Sequence, residues 1–141
     1  MVTLSVLGPL RATVDGRAAD LGGPRQRAVL ARLAVAGGEV VSADRIIEDL
    51  WGGADVPAKQ LATLQVHVSH LRRALEPGRQ RRTPATVLVS AAPGYALRLP
   101  AEAVDAWRFD DLVRRAAAAG PAERHRLLSE ALDGWRGGAY A

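Results

Sequence analysis

Between Pro57 and Leu75 the apolar side chains Leu61, Leu64, Val68, Leu71 and Leu75 return at alternating steps of three and four. That period draws one stripe down a helix. The opposite side carries Lys59, Thr63, Val66, His70 and Arg73, flanked by His67 and Ser69. It is polar and basic, holds no acid and exposes one isolated valine. A helix divided in this way has one face for a core and another for an anionic partner.

The remaining pattern is of short elements separated by turn residues. Residues 3–7, 10–14 and 17–21 read as three strands, and Asp15-Gly16 between the last two is a strong hairpin signal. Pro24 opens a helix to about residue 36, with Val29, Leu30 and Leu33 inward and Gly37-Gly38 as its stop. Ser42 caps a second helix, 43–51, whose Ile46, Ile47 and Leu50 point inward and which ends at Gly52-Gly53. After the third helix, Glu76-Pro77-Gly78 supplies a stop and a turn, and 79–86 is a basic loop. Residues 86–89 and 95–99 read as a second hairpin joined by 90–94. Two further helices follow, 104–119 and about 122–135, broken at Gly120-Pro121. Their apolar residues Trp107, Leu112, Leu127, Leu128 and Leu132 require packing on the preceding part or on a second copy.

This order predicts an α+β protein. Its first part, 1–100, is a winged helix-turn-helix: an N-terminal β-sheet, three helices and a C-terminal β-hairpin wing. A short α-helical hairpin, 101–141, follows.

Charge sharpens the picture. The net charge is only +4. Residues 1–100, however, hold 13 Lys+Arg against 8 Asp+Glu, and residues 101–141 hold 6 against 7. From Lys59 to Arg82 there are 6 basic residues (Lys59, Arg72, Arg73, Arg79, Arg81 and Arg82) and a single acid, Glu76. A localised basic stripe is the footprint of a polyanion, usually a duplex phosphate backbone, although a solvated basic face gives the same count. With 0 cysteines, disulfides and thiolate-bound metals are excluded, and a cytoplasmic address is expected. No window reaches the length of a membrane span, so no membrane partner is expected.

Catalysis finds no support. Gly22-Gly23-Pro24 lacks the lysine and hydroxyl of a phosphate loop, and no nucleophile elbow is present. His67 and His70 lack a third ligand at suitable spacing, so neither a metal nor any other cofactor is expected.

The runs LGGPRQRAVLARL, VVSADRIIEDLWG, TLQVHVSHLRRAL and PGYALRL, in that order, resemble the DNA-binding domain of the Streptomyces antibiotic regulatory protein (SARP) family, a variant of the OmpR/PhoB-type winged helix. The likeness covers essentially all of 1–100. The tail, DAWRFDDLVRRAAAA then LLSEALDGWRGGAYA, resembles the opening helices of that family's longer activation domain, here cut short. The resemblance implies a transcription regulator, usually an activator of a biosynthetic gene cluster in an actinobacterium. It would bind tandem direct repeats in double-stranded DNA as a head-to-tail pair and contact the RNA polymerase sigma factor. No receiver domain precedes the strands, so phosphorylation of an N-terminal aspartate is not an expected switch.

By the same resemblance, Thr63, Val66, His67, Ser69, His70, Arg72 and Arg73 correspond to the DNA-facing set of the third helix. Trp51 corresponds to a phosphate-contacting aromatic, and the loop Gly52, Gly53, Ala54, Asp55 and Val56 to the one that meets polymerase. The family's wing often carries an arginine where this chain has Ala91 and Ala92, which leaves Arg79, Arg81 and Arg82 to supply phosphate contacts nearby. His70 stands where arginine is common. From the helical wheel, Arg73 points outward and Arg72 lies nearer the core edge, where it is assigned a phosphate. Val66 suits a thymine methyl, while Lys59 and the Tyr95 hydroxyl suit phosphate. A protein-interaction module, antagonising a full-length relative or sigma factor, is the competing reading.

Overall fold

The computed structural model describes residues 1–52 and 57–141. The chain opens with an antiparallel sheet of β1 (Val2–Ser5), β2 (Arg11–Val14) and β3 (Arg17–Ala18), in that order. Leu4 faces Ala12 across the first pair and both are buried, which fixes the register by its apolar side. Asp15 and Gly16 take φ of 51° and 82°, the positive values that an Asp-Gly hairpin turn requires.

Three helices build the core against this sheet. In α1 (Pro24–Val35) the proline sits in the first turn, where its missing N–H leaves nothing unpaired. Val29, Leu30, Leu33 and Ala34 are buried, and Gly37, at φ 68°, follows the end of the helix. In α2 (Ala43–Trp51) Ser42 Oγ accepts from the Arg45 amide at 3.1 Å, the expected cap, and Gly52 ends the helix in the left-handed region. Ile46 and Ile47 are buried, and Leu50 is half-buried. α3 (Pro57–Leu75) lies across both, with Leu64, Val68, Leu71 and Leu75 in the core. Burial of each of those four stabilises the fold by about 1.5–3 kcal/mol.

Leu61 departs from the expected stripe. It is 39% exposed, and Gln60 occupies the inward line at that turn. Leu64 already completes the apolar row one turn on, so the helix rotates Leu61 to the edge.

The wing also differs in detail. Its strands are β5 (Leu88–Ala91) and β6 (Gly94–Leu97), so pairing runs into the expected loop and only Ala92-Pro93 forms the turn. A further strand, β4 (Val41–Ser42), pairs with β6 and gives the order β4-β6-β5. Two residues are too short to leave a periodic signature. Gly94 is required at this crossing, because a Cβ there would overlap the Val41 carbonyl.

After a 3-10 turn at Ala101–Ala103 come α4 (Asp105–Ala117) and α5 (Pro121–Asp133). They are stitched to the segment just after β1 and to α1. The Asp105 carboxylate accepts from the Val6 and Leu7 amides at 2.7 and 3.0 Å, and Trp107 Nε1 donates to the Ala34 carbonyl at 2.8 Å. Leu112, Ala116, Leu127 and Ala131 form a second small core between the two helices. Of the five apolar residues that needed cover, Leu112 and Leu127 find it there and Trp107 on α1, whereas Leu128 and Leu132 stay exposed. Among the described residues no helix is long and apolar enough to cross a membrane.

Candidate nucleic-acid interface

The outer face of α3 is built by difference. Its four core residues pin the helix to α1 and α2, and the side chains a half-turn away stand clear. Lys59, Val66, Ser69, His70 and Arg73 are exposed, Val66 by 51%, while Thr63 and His67 are half-buried. Thr63 turns its hydroxyl back onto the Lys59 carbonyl of its own helix at 3.0 Å. α3 has no acid in its sequence. Glu76, just beyond it, is committed elsewhere, since its carboxylate accepts from the Thr86 and Val87 amides, both at 2.6 Å. The acid nearest the outer face of α3 is Asp20, which lines a groove with His70 and Arg73.

Arg72 does not share that face. Its Nε donates to the Leu88 carbonyl at 2.8 Å and its Nη2 to Ser90 Oγ at 2.7 Å, while its guanidinium lies 5.8 Å from the centre of the Tyr95 ring. The phosphate assigned to it from the helical wheel has to compete with this tie to the wing. Burial lowers its pKa, with Tyr95 and Glu76 opposing the shift. Tyr95 is half-buried on β6, opposite both Val41 and Ser90.

Trp51 closes α2 beside α3. Its ring is covered by the Arg25 guanidinium at 4.9 Å and faces the His67 ring in a near-parallel stack, centroids 6.4 Å apart. Arg25 is held by donating to the Leu50 carbonyl at 2.9 Å. Below the stack lies a residue the pattern of the sequence did not single out. Gln26 of α1 is nearly buried, and its Oε1 sits 3.4 Å from His67 Nδ1 and 3.2 Å from His70 Nδ1. A polar residue in the first turn of a helix carries no period, and only the packing of α1 against α3 shows where it points. Burial, then the neighbouring His70 and Arg25, lower the pKa of His67.

Of the basic residues after α3, Arg79 donates to the Thr83 carbonyl at 2.5 Å and so closes its own loop. Arg81 and Arg82 are exposed. The structure thus gathers Trp51, His67, His70 and Arg73 with Arg25 and Gln26 on one side, and sets Arg81 and Arg82 in the loop before the wing. Of the polymerase-facing loop, Gly52 is exposed at the end of α2, and residues 53–56 lie outside the described residues.

Residues 18–97 match the family described as transcriptional regulatory protein, C terminal. The chain is 42% identical over 115 residues to the regulatory protein AfsR of Streptomyces coelicolor, a match covering 81% of this chain and 11% of AfsR. It is 40% identical over 104 residues to the transcriptional regulatory protein EmbR of Mycobacterium tuberculosis, covering 74% of this chain and 26% of EmbR. With the transcriptional regulator RedD of S. coelicolor it shares 32% over 122 residues, covering 86% of this chain and 35% of RedD. The solved structure of M. tuberculosis EmbR in complex with a low-affinity phosphopeptide superposes with a TM-score of 0.80 at 36% identity, over 99% of this chain and 37% of that one. The chain thus spans about a tenth of AfsR and a quarter of EmbR.

Proposed function

This chain belongs to the transcriptional regulatory protein C-terminal family, as an OmpR/PhoB-type winged helix of the SARP kind, and we propose that it is a sequence-specific DNA-binding transcription regulator. The observation that carries the proposal is the exposed, acid-free face of α3, with Val66, Ser69, His70 and Arg73 standing off a core that fixes the helix axis. A helix of this kind fits a major groove. In that pose Val66 meets a thymine methyl, Ser69 and His70 meet base edges, and Lys59, Arg73 and Arg82 neutralise phosphates. Thr63 and His67 line the edge of the same contact, and the Trp51 indole and Tyr95 hydroxyl approach the flanking backbone. Arg72 acts by orienting the wing, and Arg79 by shaping the loop before it.

Two copies head to tail on direct repeats, one helical turn apart, complete the proposal. Residues 1–100 serve as the DNA-binding part and 101–141 as helices of an activation domain. Residues 52–56 are assigned contact with the sigma factor of RNA polymerase in the cytoplasm, and the regulated genes are those of a biosynthetic cluster.

Gel-shift titration against promoter and random duplexes at two salt concentrations tests this reading. A specific complex that weakens with salt on both duplexes, but less affinity for the random one, is expected. Equal affinity for the two duplexes would refute sequence-specific recognition.

A further inference from the structure

We infer that Gln26 sets which nitrogen of His70 carries its proton, and thereby makes His70 an acceptor for an exocyclic base amine, adenine N6 or cytosine N4. The inference rests on the DNA-binding reading above and deepens it.

The amide of Gln26 has one orientation open to it. Its Nε2 donates to the Leu21 carbonyl at 3.0 Å, so Oε1 is the atom left facing α3. Gly22 makes the room: at φ +79° its backbone passes so close that a Cβ would lie 2.5 Å from Gln26 Nε2. An amide oxygen only accepts. The two imidazole nitrogens that meet it, His70 Nδ1 at 3.2 Å and His67 Nδ1 at 3.4 Å, are therefore the donors.

In a neutral imidazole one nitrogen donates and the other accepts, and the bond made by the first decides the second. With Nδ1–H held by Gln26, Nε2 keeps its lone pair. Neutral imidazole in water favours the other tautomer, so the protein imposes the less common one. Arg25, over the Trp51 ring beside His67, disfavours a cation on that imidazole, while Asp20 and Arg73 both line the groove at His70. His67 is also shifted toward its neutral form by burial.

A lone pair at Nε2 selects its partner. Phosphate oxygens, guanine O6 and N7, and thymine O4 are all acceptors and are disfavoured. Adenine N6 and cytosine N4 are the donors in the major groove. Gln26 touches no DNA in this scheme. It is a positioning residue on α1 that fixes a preference read from α3.

The test has two readouts on the full chain. Long-range proton–nitrogen correlation spectra at about pH 8, above the ordinary imidazole range, should give the Nδ1–H pattern for His67 and His70 in the wild type. In Gln26→Met, which keeps the length and loses the acceptor, the pattern should move to Nε2–H. Selection from a random duplex library should then yield adenine or cytosine at one position in the wild type, with that preference reduced roughly tenfold in Gln26→Met. His70→Ala, an exposed change, should lose the preference at the same position. An Nε2–H pattern in the wild type overturns the inference, as does undiminished selectivity in a folded Gln26→Met. A wild type that shows Nδ1–H yet selects no sequence overturns the DNA-binding reading, and the base-reading role of His70 with it.

Discussion

Arg72 of α3 reaches the Leu88 carbonyl of β5 at 2.8 Å, so one side chain joins the groove-facing helix to the wing. The second bond, to Ser90 Oγ, makes the tie two-pronged. Arg72→Ala leaves the half-buried end of β5 without its donor and is expected to destabilise the fold by about 1–3 kcal/mol, read from a urea midpoint. Arg72→Lys should recover little of this, because an ammonium lacks the planar fork that meets both acceptors.

Val66→Glu should abolish specific DNA binding with the thermal midpoint unchanged. The side chain is already 51% exposed, so a carboxylate there is solvated in the free protein and faces phosphate and base edges only in a complex. Footprinting by the variant at the wild-type position would show that α3 does not lie in the groove.

Lys59→Ala and Arg73→Ala act on charge alone. Both residues are exposed, and no acid on α3 neutralises them. Each is expected to weaken binding to every duplex by a similar factor and to lower the salt slope by about 1. Titrations at three salt concentrations measure both. A change confined to one sequence would mark the residue as a base reader.

The pattern of the chain made most of this architecture legible. Asp15-Gly16, Pro24, Ser42 and the Leu64–Leu75 stripe each specify local geometry through chemistry confined to a few neighbours, and each lies where that chemistry predicts. What it did not disclose depends on contacts between distant segments. Gln26 meets His70 across 44 positions, Arg72 meets Leu88 across 16, and Val41 pairs with Tyr95. A helical wheel ranks Arg72 by angle alone, and angle says nothing about a carbonyl that a later strand brings alongside. Leu61 teaches the same lesson from the apolar side. Periodicity counted it inward, but the helix rotates so that Gln60 takes the place.

His67 should make stability sensitive to acid. Its pKa in the folded chain lies below the ordinary 6.5 because burial, His70 and Arg25 disfavour its cation. The unfolded chain therefore takes up the proton first. Stability is at its full value above the ordinary pKa and falls as the pH drops through it, until the folded form is protonated too. Urea midpoints between about pH 8 and pH 5 should decline for the wild type and decline less for His67→Gln. Parallel curves would assign the acid sensitivity to other groups.

Asp105→Ala should destabilise the chain by about 2 kcal/mol, because the buried Val6 and Leu7 amides lose a charged acceptor they share. Amide exchange at those two positions should speed up with it. Asp105→Asn keeps one acceptor oxygen and should fall between.

Ser42 is at once the rung that pairs with Gly94 and the cap that accepts from the Arg45 amide. The tilt of the wing and the axis of α2 are thereby geared through a single residue, and a Cβ at Gly94 would jam the mechanism against Val41. A wing transplanted from another regulator would mesh only if it arrived with its own matched pair at 41–42. Retargeting this protein by swapping modules is therefore better begun on the free face of α3 than at the hairpin.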